Sequence, residues 1–169
     1  DVLITYDPNV RPGLLADPGH GRRVAEHAVG LAHLAKASSD DIAWLYPELA
    51  PADVARRWLE LGATVVVITS SADGAYAYTA QGWSVRRPAL DVTVVDTVGA
   101  GDSFTAGLLG SLLSQGQYTP AGLARCSAGQ LSEALDDAIL VASLNCERQG
   151  NDPPTAADVA AGRERLKPI

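Results

Sequence analysis

Residues 96–104, DTVGAGDSF, join a β-branched run, LDVTVVDT (residues 90–97), to a long apolar stretch that begins at Phe104. Small residues beside an aspartate at such a junction admit three readings: a plain turn, a nucleotide fingerprint or a catalytic anion site. In open α/β sheets the carboxyl ends of strands meet helix N-termini, whose N–H groups point outward, and small residues there let a ligand approach the backbone. On this expectation the N–H groups of Gly99, Ala100, Gly101 and Asp102 form an anion-binding nest. Two standard fingerprints fail. A P-loop needs Gly-Lys-Ser/Thr, and no lysine is near; a G-x-G-x-x-G turn needs a third glycine, and Phe104 stands at that position. What remains is an anion hole with a carboxylate built into it. A carboxylate repels phosphate, so its presence calls for a reason. A general base supplies one, taking the proton of an attacking hydroxyl while the nest stabilises developing charge. The plain alternative is Asp102 as a first-turn acid facing the helix dipole.

Outward from this stretch, strand and helix signals alternate. VLITYD (2–7) reads as a strand, ended by DPNVRPG (7–13), whose prolines forbid continued regular structure. GHGRRVAEHAVGLAHLAKA (19–37) places Val24, Ala28 and Leu31 at helical spacing, with Arg22, Arg23 and Glu26 opposite; its tail HLAKA fits a helix end or a short strand equally well. SSDDIAWLYP (38–47) opens with capping residues and stops at Pro47, and PADVARRWLELG (51–62) has a proline near N1 and Gly62 as terminator. ATVVVITS (63–70) is a continuous apolar strand of the kind buried on both faces of a parallel sheet, and GAYAYTAQGWSVRRP (74–88) reads as a hairpin at the sheet margin. LDVTVVDT is expected to be a further strand. After it Phe104, Leu108, Leu109, Leu112 and Leu113 form one helical face, with Gly107 and Gly110 permitting close packing. QLSEALDDAILVASLNCERQG (130–150) is a second long helix; NDPP (151–154) breaks the chain before TAADVAAGRERL (155–166), a helix capped by Thr155. The alternation predicts an α/β fold with a largely parallel sheet.

Composition narrows the function. The 169 residues suffice for one domain with a sizeable core, and 47% apolar with 20% charged residues reads as soluble and globular. A net charge of −7 argues against nucleic acid or anionic membrane as partner. Neither an apolar run of the ~18–20 residues that span a bilayer nor a signal peptide is read in the chain, so the cytoplasm is the expected compartment. Cys126 and Cys146 lack metal spacing and read as reduced thiols; His20, His27 and His33 lack ligand spacing and read as solvated. Trp44 and Trp58 are expected in a core or interface, and Trp83 at a packed hairpin edge. The chain opens without Met on an apolar strand, which predicts that it is the second part of a longer polypeptide whose earlier residues pair with that strand.

DTVGAGDSF closely resembles the second signature of the ribokinase-like (PfkB) carbohydrate kinases, D-T-x-G-A-G-D-x-F. YDPNVRP (6–12) resembles the D-x-N-x-R-P segment of fructokinases and 2-keto-3-deoxygluconate kinases. KASSDDIAWLYP (36–47) resembles their K-x-S-x-x-E-L stretch, and VVVITSSADGAYAY (65–78) the strand and T-x-G-x-x-G turn on their nucleotide side. The resemblance implies a ribokinase-like α/β fold, its largely parallel sheet flanked by helices. Residues 1–169 would then be the carboxy-terminal, nucleotide and catalytic-base part of a single kinase domain, without the amino-terminal half and lid. HLAKA becomes a strand on this reading. The implied activity is ATP-dependent phosphorylation of a primary sugar hydroxyl, fructokinase first. The alternatives are a 2-keto-3-deoxygluconate or nucleoside kinase, or a kinase-like protein that binds nucleotide or sugar without turnover.

The same resemblance implies roles. Asp102 is the base that deprotonates the sugar hydroxyl, and Gly99, Ala100 and Gly101 hold the transferring phosphoryl group. Thr69, Ser71 and Gly74 lie by the nucleotide; Asn9 and Arg11 are the candidates for the sugar or its new phosphate, the plain alternative for Arg11 being a salt-bridged loop residue. Ser38 and Asp41 organise Mg2+ through water, and Asp96 with the loop near Gly150 lies around a monovalent-cation (K+) site. A homodimer through the lid is implied as well. Two departures stand out. Asp41 replaces the family's Glu, and Ser71 replaces the first glycine of the turn, where a positive φ would strain any residue with a Cβ.

Overall fold

The computed structural model of the chain describes residues 2–15, 17–150 and 152–165; Asp1, Asn151 of the predicted break and Leu166 of the predicted last helix fall outside them. Five strands form one sheet in the order β1 (Thr5–Tyr6), β2 (Leu34–Ser38), β3 (Val65–Thr69), β4 (Ala75–Thr79), β5 (Ser84–Arg87). β1, β2 and β3 run parallel, with Leu34 beside Val65 and Ser38 beside Thr69. β4 and β5 turn back antiparallel, closing the sheet margin with the expected hairpin. HLAKA resolves into β2, whose first four residues are buried, as are those of β3. Both strands have both faces covered, which explains why their sequences do not alternate.

Among the described residues seven α-helices flank the sheet: α1 (Pro18–Val29), α2 (Ser39–Leu45), α3 (Pro51–Glu60), α4 (Ala100–Ser114), α5 (Pro120–Ala124), α6 (Ala128–Cys146) and α7 (Ala156–Arg165). Capping boxes at Ser38/Asp41 and Ser127/Gln130 start α2 and α6. Each satisfies helix N–H groups that have no carbonyl partner of their own. Successive side chains of β3 point to opposite faces and so serve two cores. Val65 and Val67 pack with Phe104, Leu108, Leu135 and Ala138 of α4 and α6, and Val66 and Ile68 with Ala25, Ile42, Val54 and Trp58 of α1–α3. Trp58 is fully buried and Trp44 half-buried in the second core, and Trp83 packs at the margin of the first. Among the described residues no helix is long and apolar enough to cross a membrane.

Five expectations need correction. LDVTVVDT forms no strand: Val94 and Val95 are exposed, and the N–H groups of Val95 and Asp96 bond the Cys146 carbonyl at the end of α6. A β-branched run becomes a strand only when another strand offers a ladder, and here a helix terminus takes the bonds instead. VLITYD shrinks to Thr5–Tyr6, the two residues in ladder register with β2. α1 buries Gly21, Ala25 and Val29 rather than Val24, Ala28 and Leu31. The bulk comes from the partner, because a Cβ at Gly21 would lie 2.6 Å from Trp44 Cζ3. On α4, Phe104, Leu108 and Leu112 face the core while Leu113 is exposed; Gly107 abuts Ala138, but Gly110 faces open space. His33 is half-buried and its Nδ1 accepts the Ile4 N–H at 3.0 Å, whereas His20 and His27 are exposed.

Candidate active site

β2 and β3 end side by side at Ser38 and Thr69, on the carboxyl edge of the sheet where α/β folds place ligands. Ser38 caps α2, its Oγ accepting the Asp41 N–H at 3.0 Å. Asp41 is buried and its carboxylate is engaged throughout. Oδ2 accepts from Ser38 N (2.9 Å) and Ser38 Oγ (2.7 Å), and Oδ1 accepts from Val10 N at 2.8 Å. One carboxylate thus ties the helix start to the 7–11 loop. On that loop Asn9 and Arg11 are exposed, and the Arg11 guanidinium donates to the carbonyls of Asn9 and Val10.

After β3 the chain turns tightly, with Ser70 N donating to Gly74 O at 2.8 Å. Gly74 has φ +90°, and a Cβ there would collide with the Arg87 carbonyl. Ser71 has φ +39°, so the position where serine replaces glycine does use left-handed backbone.

Across the crevice Asp96 Oδ1 accepts the Val98 N–H (3.0 Å) and Oδ2 the Gly150 N–H (2.9 Å). Hydrogen bonds from Val98 first, then Gly150, hold this carboxyl below the usual carboxylate range. Gly99, at φ +78°, is the N-cap of α4. Ala100 N is drawn to Thr97 O. Gly101 and Asp102 sit in the first turn, where an α-helix has no carbonyls to offer their N–H groups. With these pieces in place Ser38, Thr69, Ser71, Gly74, Ala100 and Gly101 line one cavity of about 730 Å³. Its opposite wall is apolar, with Leu90, Val92, Phe104 and Ile139. Asp102 is exposed beside Gly101 rather than in the cavity wall, and Asn9, Arg11, Asp41, Asp96 and Gly99 also lie off that wall.

Sequence reasoning quoted Lys36 within a motif but gave it no role. Lys36 is buried in β2, lines the cavity and pairs with Asp7 Oδ2 at 2.9 Å. A Cβ on Gly101 would lie 3.4 Å from its Nζ, so the ammonium faces the nest directly. The available signal was a lone charge inside the apolar run LAKAS. Such a group is buried only when paired or used. Among the described residues no three His, Cys, Asp or Glu side chains gather to hold a metal ion.

A glycine-bearing helix start and a buried lysine of β2 define an α/β protein with a crevice at the carboxyl edge of its sheet. Residues 3–157 match the pfkB family carbohydrate kinases, and the chain belongs to that family. It is 44% identical over 111 residues to a fructokinase of Rhizobium leguminosarum bv. trifolii, covering 65% of this chain and 33% of that protein. The fructokinase of Xylella fastidiosa, solved with bound ATP, superposes with a TM-score of 0.84 at 25% identity, over 96% of this chain and 52% of that one. The aminoimidazole riboside kinase of Salmonella enterica, solved with aminoimidazole riboside and an ATP analogue, superposes at 0.77 with 26% identity, over 95% and 52%. The chain thus spans about a third of its curated relative and half of the solved structures.

Proposed function

We propose that this chain carries the nucleotide-binding and catalytic-base part of an ATP-dependent sugar kinase, with fructose the first substrate. The observation that carries the reading is the cavity that brings Thr69, Ser71 and Gly74 to face Gly101 and the Lys36 ammonium. The triphosphate runs from the turn after β3 toward the start of α4. There the Gly101 and Asp102 N–H groups and Lys36 stabilise charge on the transferring phosphoryl group. Asp102 takes the proton of the primary hydroxyl as its oxygen bonds the γ-phosphorus and the bond to the β–γ bridging oxygen breaks, releasing ADP. The transition state is loose and the proton leaves late, so positioning and charge stabilisation supply most of the rate. Asn9 and Arg11, held near the site by Asp41, contact the sugar or its new phosphate.

Mg2+, held through water by Ser38 and Asp41, would neutralise developing phosphate charge in this site. Both oxygens of Asp41 already accept hydrogen bonds, so its part is to orient Ser38 and water rather than to ligate the ion. Both oxygens of Asp96 likewise accept backbone N–H groups, so its part toward K+ is to shape the loop beside Gly150 rather than to ligate the ion. The engaged Asp41 and strained Ser71 favour one other reading, a protein that binds ATP or sugar without turnover. ADP release by the native protein, measured with ATP against fructose, 2-keto-3-deoxygluconate and nucleosides, separates the readings. Turnover on fructose supports the proposal, turnover on another acceptor changes the substrate, and ATP binding without any turnover overturns it.

A further inference from the structure

Asn145 lies on the last turn of α6 with none of its surface exposed. Its Nδ2 donates to the Val98 carbonyl at 2.8 Å, while its Oδ1 is buried without a hydrogen-bond partner among the described residues. A buried orphan acceptor is a standing cost that an apolar side chain of the same size would avoid. The bond to Val98 is therefore what the carboxamide contributes. Val98 immediately precedes Gly99, and the Val98 carbonyl and Gly99 N–H share one rigid peptide plane. Holding that carbonyl fixes the plane from which Gly99 enters its left-handed conformation and α4 begins. The end of α6 grips the same loop a second time, since Cys146 O accepts the N–H groups of both Val95 and Asp96.

We propose that Asn145 is a positioning residue for phosphoryl transfer. Through the Val98 carbonyl it sets the Val98–Gly99 peptide plane and so aims the Gly101 and Asp102 N–H groups at the phosphoryl group. This rests on the reading of the nest given above.

The test compares Asn145→Leu with wild type in the native protein, by hydrogen exchange of the backbone amides and by titration with ATP and with ADP. Leucine keeps the branched skeleton, removes the orphan oxygen and cannot donate. In the absence of nucleotide, exchange at Val98 and Ala100, the hydrogen-bonded amides of residues 98–102, should rise about tenfold while β3 stays unchanged, and ATP affinity should fall about tenfold with ADP affinity within about twofold. A loss confined to ATP is what a merely structural defect would not produce. Unchanged exchange at Val98 and Ala100, or equal losses for ATP and ADP, overturns the inference. Should the leucine variant fail to fold, Asn145→Ala is read by the same criteria. In wild type, the Nδ2 protons of Asn145 should be slow to exchange and show scalar coupling to the Val98 carbonyl carbon; fast exchange overturns the bond itself. Wild type without ATP-dependent protection at 99–102 would instead overturn the nest as phosphoryl site, whatever Asn145 does to the loop.

Discussion

Gly101 lines the cavity and Asp102, its neighbour, is exposed at the same helix start. On the proposed function binding falls to backbone and proton transfer to a side chain, so the two are separable by mutation. Asp102→Asn should lower kcat by about 10² to 10⁴, roughly 3–5 kcal/mol, with ATP affinity within a few-fold. Steady-state kinetics and calorimetry on the native protein check this, and a loss of tenfold or less with chemistry rate-limiting would return Asp102 to a helix-dipole role. Ser71 offers the opposite case, a residue whose replacement should help. Its φ of +39° costs on the order of 1 kcal/mol that glycine would not incur. Ser71→Gly should therefore leave ATP affinity unchanged or raise it by up to about tenfold; a large loss would show that the hydroxyl contacts nucleotide. The strained turn was legible because a known pattern flagged one residue. Lys36 was not, since its meaning depends on Asp7 and Gly101, distant in sequence and adjacent only once β1, β2 and α4 assemble.

Helices announced by caps and strands buried on both faces could be read from the chain, because capping and continuous apolar character are local properties. Faces could not. α1 turns small residues inward because Trp44 fills the space, and LDVTVVDT stays out of the sheet because α6 takes its N–H groups. Both outcomes are decided by a partner element. Two of the three glycines of α4, Gly107 and Gly110, make the same point quantitatively. A Cβ at Gly107 would sit 2.9 Å from Ala138 Cα, whereas one at Gly110 would meet nothing within 4 Å. Gly107→Ala should destabilise by about 1–3 kcal/mol through forced separation of α4 and α6. Gly110→Ala should stabilise by about 0.5–1 kcal/mol through helix propensity alone. Denaturant unfolding of both variants checks the pair, and equal effects would mean that α4 and α6 are not in close contact.

At the level of the whole molecule the two cores differ in their polar content. The core of α1–α3 contains a chain in which Trp58 Nε1 donates to Tyr46 Oη (2.9 Å) and Tyr46 Oη donates to Glu26 Oε1 (3.1 Å). Arg57 Nε donates to the same Glu26 oxygen at 2.6 Å. The hydrogen bond from Arg57 holds the Glu26 carboxyl below its ordinary 4.5, and burial pushes the Tyr46 hydroxyl up from 10.0 to about 12. A depressed acid adds stability that is present above its unfolded value and lost as pH falls through the folded one. A raised phenol adds stability that is present below pH 10.0 and lost as pH rises through about 12. The melting temperature should therefore fall at both extremes, and Tyr46→Phe should flatten the alkaline limb. An alkaline limb unchanged in Tyr46→Phe would remove Tyr46 from the account. The order of segments and their fold were readable from the chain; which helices share a face of the sheet, and so which residues meet in this network, was not.

The double pairing of β3 also fixes an order of assembly. β3 reaches β4 through the short turn 70–74, but reaches β2 only across residues 39–64, with α2 and α3 in between. Loop closure favours the nearer partner, so the hairpin half should nucleate and the parallel half should condense upon it. In refolding, amides of β3–β5 should gain protection before those of β1 and β2, and the reverse order would refute the sequence of events. β1, only two residues long, should dock last. Asn9 and Arg11 follow it directly in the chain, so the segment proposed to greet the sugar is the last laid down and the first to let go.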